Sequence, residues 1–146
     1  MKSVSSGVLA FVLALCVICL GLVIYFANIP KADDRFSEFY LLDENGQPCD
    51  YHRVVTAGSP FYVTLGIVNH EDVPRSYTIC VLYAGELLKK VNSGTVKQGE
   101  KWETQTAITL TGTGREKKVE FYLYLSGEEK PHIGHPLVLT LDVNNQ

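Results

Sequence analysis

Hydrophobic residues follow two rhythms along this chain. From Gly7 to Ala27 they run unbroken: GVLAFVLALCVICLGLVIYFA, 21 residues without a charge. As an α-helix that stretch spans about 31 Å, enough to cross a hydrocarbon core of about 30 Å. A helix also satisfies each backbone polar group within the span. Beyond it the period becomes two. Phe61, Val63, Leu65 and Ile67 alternate with Tyr62, Thr64, Gly66 and Val68. After the polar break His70 to Arg75, the residues Tyr77, Ile79, Val81 and Tyr83 alternate with Thr78, Cys80 and Leu82. Residues two apart share one face of a strand. Phe61 to Gly85 therefore predicts a hairpin with one apolar face, and that face needs a second sheet to bury it.

The same period marks the other strands. Arg35–Leu42 is the first, followed by a turn at Asn45-Gly46. Tyr51–Val55 reads as a short edge strand, and Glu86–Val91 as either a short strand or a turn of helix. In Lys101–Leu110 the positions Trp102, Thr104, Thr106, Ile108 and Leu110 face one way. Lys118–Leu125 and Leu137–Val143 complete the set. About seven strands with frequent turn signals and no long amphipathic helix predict an all-β, immunoglobulin-like β-sandwich. The expected organisation is a short tail over 1–6, a transmembrane helix over 7–27, a linker over 28–34 and the sandwich over 35–146. One hallmark is missing, because Trp102 follows both soluble cysteines and does not lie between them.

Charge and cysteine usage narrow the function. Beyond residue 30 there are 12 Lys and Arg against 16 Asp and Glu, a formal charge of −4. That disfavours a nucleic-acid surface. The apolar run exceeds the roughly 7–15 residues of a signal-peptide core, and no small-x-small cleavage site follows, so an uncleaved anchor is expected. Lys2 on one side and Lys31 and Arg35 on the other do not separate the two orientations by charge. A short tail before a single span predicts an N-terminus in the cytoplasm and the sandwich outside. Cys16 and Cys19 lie within the span. Cys49 and Cys80 form either a disulfide, in an oxidising compartment, or two free thiols.

Candidate chemistry is sparse. His132-Ile133-Gly134-His135 spells a four-letter signature of one class of aminoacyl-tRNA synthetases, but it stands between two late strands with no phosphate loop, which denies it that meaning. With His52 and His70 it makes no spacing that would hold a metal. Asn69, His70 and Glu71 form a polar turn that either contacts a cation or partner or satisfies its own backbone. Tyr62, Tyr122 and Tyr124 fall on outward positions and are the candidate partner-binding surface. No Gly-x-Ser-x-Gly elbow is present and neither soluble cysteine has a recognisable base, so no catalytic residue, cofactor or metal is expected.

Several segments carry a family resemblance: FSEFYLLDENGQPCDY, the step Ala57-Gly58-Ser59-Pro60, GIVNHE, SYTICV, Gly99-Glu100-Lys101-Trp102 and VEFYLY. Over roughly Phe36 to Val143 they resemble the soluble region of the largely archaeal membrane proteins grouped as domain of unknown function family 1616. Members of that family often carry several membrane helices before this region, whereas one is evident here. The resemblance implies location and fold, not chemistry. The expected function is non-enzymatic: a single-pass cell-membrane protein presenting an extracytoplasmic sandwich to another envelope or membrane protein or to a surface glycan. The alternative is an accessory subunit of a larger membrane complex, such as a transporter or a glycan-modifying enzyme.

Overall fold

The computed structural model describes residues 6–27, 35–49 and 52–145. The expected linker over 28–34, Tyr51 and the side chain of His52 lie outside them. The chain forms two units, Met1–Asp34 and Arg35–Gln146. The first holds α1, Ser6–Ala27, whose 22 residues carry no charge and bury nothing within the protein. By length and composition α1 can cross a membrane, a test that a signal sequence also passes.

The second unit is a sandwich of eight strands. They are β1 (Ser37–Leu42), β2 (His52–Thr56), β3 (Pro60–Asn69), β4 (Arg75–Tyr83), β5 (Glu86–Val96), β6 (Lys101–Thr109), β7 (Gly114–Leu125) and β8 (Leu137–Asn144). One sheet runs β1-β3-β6 and the other β2-β8-β7-β4-β5. All neighbours are antiparallel except β2 and β8, which run parallel. The chain thus starts in the three-stranded sheet, crosses to the edge of the other and returns. That is the crossing pattern of an immunoglobulin-like fold. The alternating residues meet between the sheets: Val63, Leu65 and Ile67 of β3 face Ile79 and Val81 of β4, Phe121 and Leu123 of β7, and Leu139 and Leu141 of β8, all buried.

Two expectations change. Phe61 to Gly85 is not a hairpin: β3 and β4 belong to different sheets, and residues 70–74 carry the chain across the edge of the sandwich. Alternation identifies an apolar face but not the strand beside it. Here the two apolar faces cover each other. The hairpin partner of β4 is β5, an 11-residue strand that raises the count from seven to eight. They join through Ala84 and Gly85, both at positive φ (51° and 81°), which is the two-residue turn that matches strand twist. The turn lacks the usual Asn-Gly signal, and the edge strand it opens is exposed on both faces from Glu86 to Lys90, so its period is lost.

Glycine matters most at Gly66. Its Cα pairs with Tyr40 on one side and Glu103 on the other. The Tyr40 ring lies across the glycine, where any Cβ would overlap it. The Tyr40 hydroxyl then donates to Glu103 Oε1 at 2.7 Å. Burial together with the adjoining Glu103 carboxylate pushes the Tyr40 pKa up to about 12.

Candidate functional site

The densest polar chemistry lies where β3 hands over to β4. Asn69 closes β3 and is fully buried. Its amide nitrogen donates to the carbonyls of Val73 and Val96, both at 2.9 Å, and its side-chain oxygen accepts the Glu71 N–H at 2.9 Å. Its backbone binds the β5–β6 turn through Glu100 and Gly99. Asn69 is therefore a joint between two turns, and each of its side-chain polar atoms is engaged.

That joint aims Glu71 inward, and its side chain is only 8% exposed. Arg75 Nε donates to Oε2 at 2.6 Å. Ser37 Oγ donates to Oε1 at 3.1 Å, and His132 Nε2 approaches the same oxygen at 2.9 Å. Tyr77 adds its hydroxyl, 2.7 Å from Ser37 Oγ. One arrangement satisfies every pair: Tyr77 donates to Ser37, Ser37 and Arg75 donate to Glu71, and the His132 Nε2–H is shared between Glu71 and Ser37. Burial pushes the Glu71 carboxyl up, but the hydrogen bonds of Arg75 and Ser37 and the charges of Arg75 and His132 outweigh it, leaving the pKa below its ordinary value. Burial holds the Tyr77 hydroxyl above its usual value, partly offset by its bond to Ser37.

Serine, histidine and glutamate together invite comparison with a hydrolytic triad. A triad needs the two ring nitrogens to act separately, one on the nucleophile and one on the carboxylate. Here His132 meets Ser37 and Glu71 through the same Nε2, at 2.9 Å each. Ser37 is itself buried and already serves Tyr77 and Glu71. The arrangement ties four segments together: the start of β1, the β3–β4 crossing, β4 and the β7–β8 loop.

The sequence singled out Asn69 and Glu71 and the structure brings both into this corner. His70 turns outward, stacked on Phe36 at 4.6 Å and 3.4 Å from Glu38. Ser37, Arg75 and Tyr77 were not singled out, and His132 was noted only within its four-letter motif. A signal was present for one: Tyr77 sits at an inward position, and a buried tyrosine hydroxyl needs a partner. His135 is exposed in the β7–β8 loop and takes no part. Among the described residues no three His, Cys, Asp or Glu side chains converge as metal ligands.

The three candidate tyrosines do not share a surface. Tyr62 is on the outer face of the three-stranded sheet, 43% exposed. Tyr122 and Tyr124 are on the outer face of the five-stranded sheet, half-buried, beside Cys80 and Thr78 of β4. Cys49 and Cys80 are not bonded to each other; both are free thiols. Cys80 points out of its sheet, between Lys90 and Tyr122. Cys49 packs on the core and lines an apolar cleft of about 260 Å³ with Phe39, Leu41, Pro48, Leu137 and Leu139. Burial pushes its thiol pKa up.

A family model described as a domain of unknown function (DUF1616) matches residues 30–144. No curated protein matches the chain in sequence. Among solved structures, the CARDB domain of the PF1109 protein from Pyrococcus furiosus, crystallised in complex with di-metal ions, matches with a TM-score of 0.55 at 12% identity, covering 77% of this chain and 96% of that one. A family 123 glycoside hydrolase from Clostridium perfringens matches with a TM-score of 0.52 at 8% identity, covering 76% of this chain and 28% of that one. A β-glucosidase from Listeria innocua matches with a TM-score of 0.50 at 16% identity, covering 76% and 16%. At these identities the likeness is one of fold, and this chain spans only a small part of each enzyme.

Proposed function

The chain belongs to the family described as a domain of unknown function, DUF1616, and from that premise we propose that it is a membrane-anchored, non-catalytic docking module. In this reading α1 stays in the membrane and the sandwich is presented outside the cytoplasm to another envelope or membrane component. The observation that carries the reading is the division of surface chemistry. The unbroken apolar surface is on α1, which carries no charge and buries nothing. The polar cluster of the sandwich is turned inward and spent on holding segments together. In this reading recognition falls to the outer face of the five-stranded sheet, with Tyr122 and Tyr124 on its interior strand β7. Amphipathic tyrosines on a rigid scaffold suit docking, since little side-chain entropy is lost on contact.

The di-metal ions crystallised with the Pyrococcus neighbour belong to that protein and are not carried over to this chain. Presentation is tested on the full chain with Cys16, Cys19 and Cys49 replaced by alanine. Cys80 points out of the sheet, so a membrane-impermeant maleimide should label it in intact cells. Labelling that appears only after lysis would place the sandwich inside and overturn the reading.

A further inference from the structure

The outer face of the five-stranded sheet has an internal order that a general docking surface does not need. Across β5, β4 and β7 the side chains form rows. Lys90, Cys80 and Tyr122 make one row, and Asn92, Thr78 and Tyr124 the next. Leu87 and Leu82 extend the face in the other direction, and Leu87 is 57% exposed. Thr78 donates to Asn92 at 3.0 Å and lies 3.2 Å from Ser126 Oγ, so the polar end is pre-ordered. The hydroxyls of Tyr122 and Tyr124 have no hydrogen-bond partner among the described residues.

A groove of about 370 Å³ crosses this face, lined by Thr78, Cys80, Lys90, Tyr124 and Glu128. Its charges are placed unevenly. Lys90 stands on the β5 side of β4 and Glu128 follows β7 on the other side. Neither forms an ion pair among the described residues. Opposite charges on the two sides of a central strand are what a face needs to match itself after a two-fold rotation, because in such an interface residue i meets j and j meets i.

The β5 edge of this sheet is closed to a different mode of association. Lys89 of β5 turns toward the other sheet and reaches the Ala107 carbonyl at 3.4 Å. A lysine beside an exposed strand edge opposes edge-to-edge pairing.

We propose that the outer face of the five-stranded sheet is a self-association surface, on which a second copy of this chain docks about a two-fold axis that lies in the face and crosses β4 near Thr78, between Lys90 and Glu128. Lys90 of each copy then meets Glu128 of the other, Tyr124 lies in the shared groove with Tyr122 beside it, and the two Cys80 thiols stand close on either side of the axis. The proposal rests on the docking reading above and names its first occupant. Co-anchoring in one membrane assists it, because two tethered copies meet at a raised effective concentration.

The test uses the full chain in lipid vesicles with Cys16, Cys19 and Cys49 replaced by alanine, so that Cys80 is the only thiol. A short bismaleimide should yield a covalent dimer, absent when Cys80→Ser is added. Lys90→Glu alone, or Glu128→Lys alone, sets like charges together and should lower the cross-linked fraction about tenfold. The two reversals together should restore it. Both sites are exposed, and an unchanged thermal melt confirms that the variants are folded. No dimer in the parent would overturn the proposal. So would a dimer indifferent to both reversals, since the contact would then lie elsewhere. In the Lys90→Glu variant Cys80 stays uncovered, so its labelling in intact cells reports the anchoring reading apart from this proposal, and the loss of one gives a different result from the loss of the other.

Discussion

Replacing Glu71 tests the buried corner most severely. Its carboxylate takes hydrogen bonds from Arg75 at 2.6 Å and Ser37 at 3.1 Å, with His132 at 2.9 Å. Breaking a buried ion pair by removing one partner costs about 3–5 kcal/mol. The Arg75 side chain is 41% exposed and can rehydrate, which lowers its share. Ser37 and Tyr77 are buried and lose the acceptor at the end of their chain, at about 1–3 kcal/mol for an unsatisfied group. Glu71→Ala should therefore destabilise the sandwich by about 3–4 kcal/mol. Glu71→Gln keeps an acceptor for Ser37 and His132 but meets Arg75 without charge, and should cost about 1–2 kcal/mol. Urea unfolding followed by the fluorescence of Trp102, the single tryptophan, reads both values. The pH dependence has a definite sign. The folded pKa of Glu71 lies below its unfolded value, so its contribution is complete above the unfolded pKa of about 4.3 and is lost as pH falls through the folded one. The wild type should lose stability below about pH 4 more steeply than Glu71→Gln. A Glu71→Ala variant within about 1 kcal/mol of wild type, or a Gln variant with the same acid limb, would refute the reasoning.

Three further substitutions probe other parts of the sandwich. Gly66→Ala forces the Tyr40 ring off the sheet and breaks its bond to Glu103, for a loss of about 1–3 kcal/mol by urea unfolding that shrinks in a Tyr40→Ala background. Ala84→Asn relieves a non-glycine residue held at φ 51° and should raise stability by about 0.5–1 kcal/mol, read as a higher melting temperature. The Thr106 hydroxyl is buried without a partner, so Thr106→Val should be neutral or stabilising by about 1 kcal/mol in the same assay.

The alternation along β3, β4, β6, β7 and β8 made the inward faces legible, down to Leu110 at the end of its run, which is 1% exposed. Pairing was less legible. Phe61 to Gly85 has the local pattern of a hairpin, and only the fold, which places β3 and β4 in different sheets, shows that residues 70–74 cross between them. β5 was underestimated because an exposed edge strand has no face to alternate. The corner site was half legible. Asn69 and Glu71 stand together in the chain, but Ser37 and His132, 34 and 61 residues from Glu71, are brought to it only by the fold. His132 drew attention for the wrong reason, through a four-letter motif that the loop does not use. The tyrosines were correctly placed outward, but period two cannot say that Tyr62 belongs to one sheet and Tyr122 and Tyr124 to the other.

The central claim is that α1 remains part of the protein as its membrane anchor. The most direct measurement is the intact mass of the chain recovered from carbonate-washed membranes. The account predicts that the protein stays in the washed membranes and that its mass includes residues 6–27. A product that begins beyond residue 27 and is released by the wash would contradict it, and would make α1 a cleaved signal sequence.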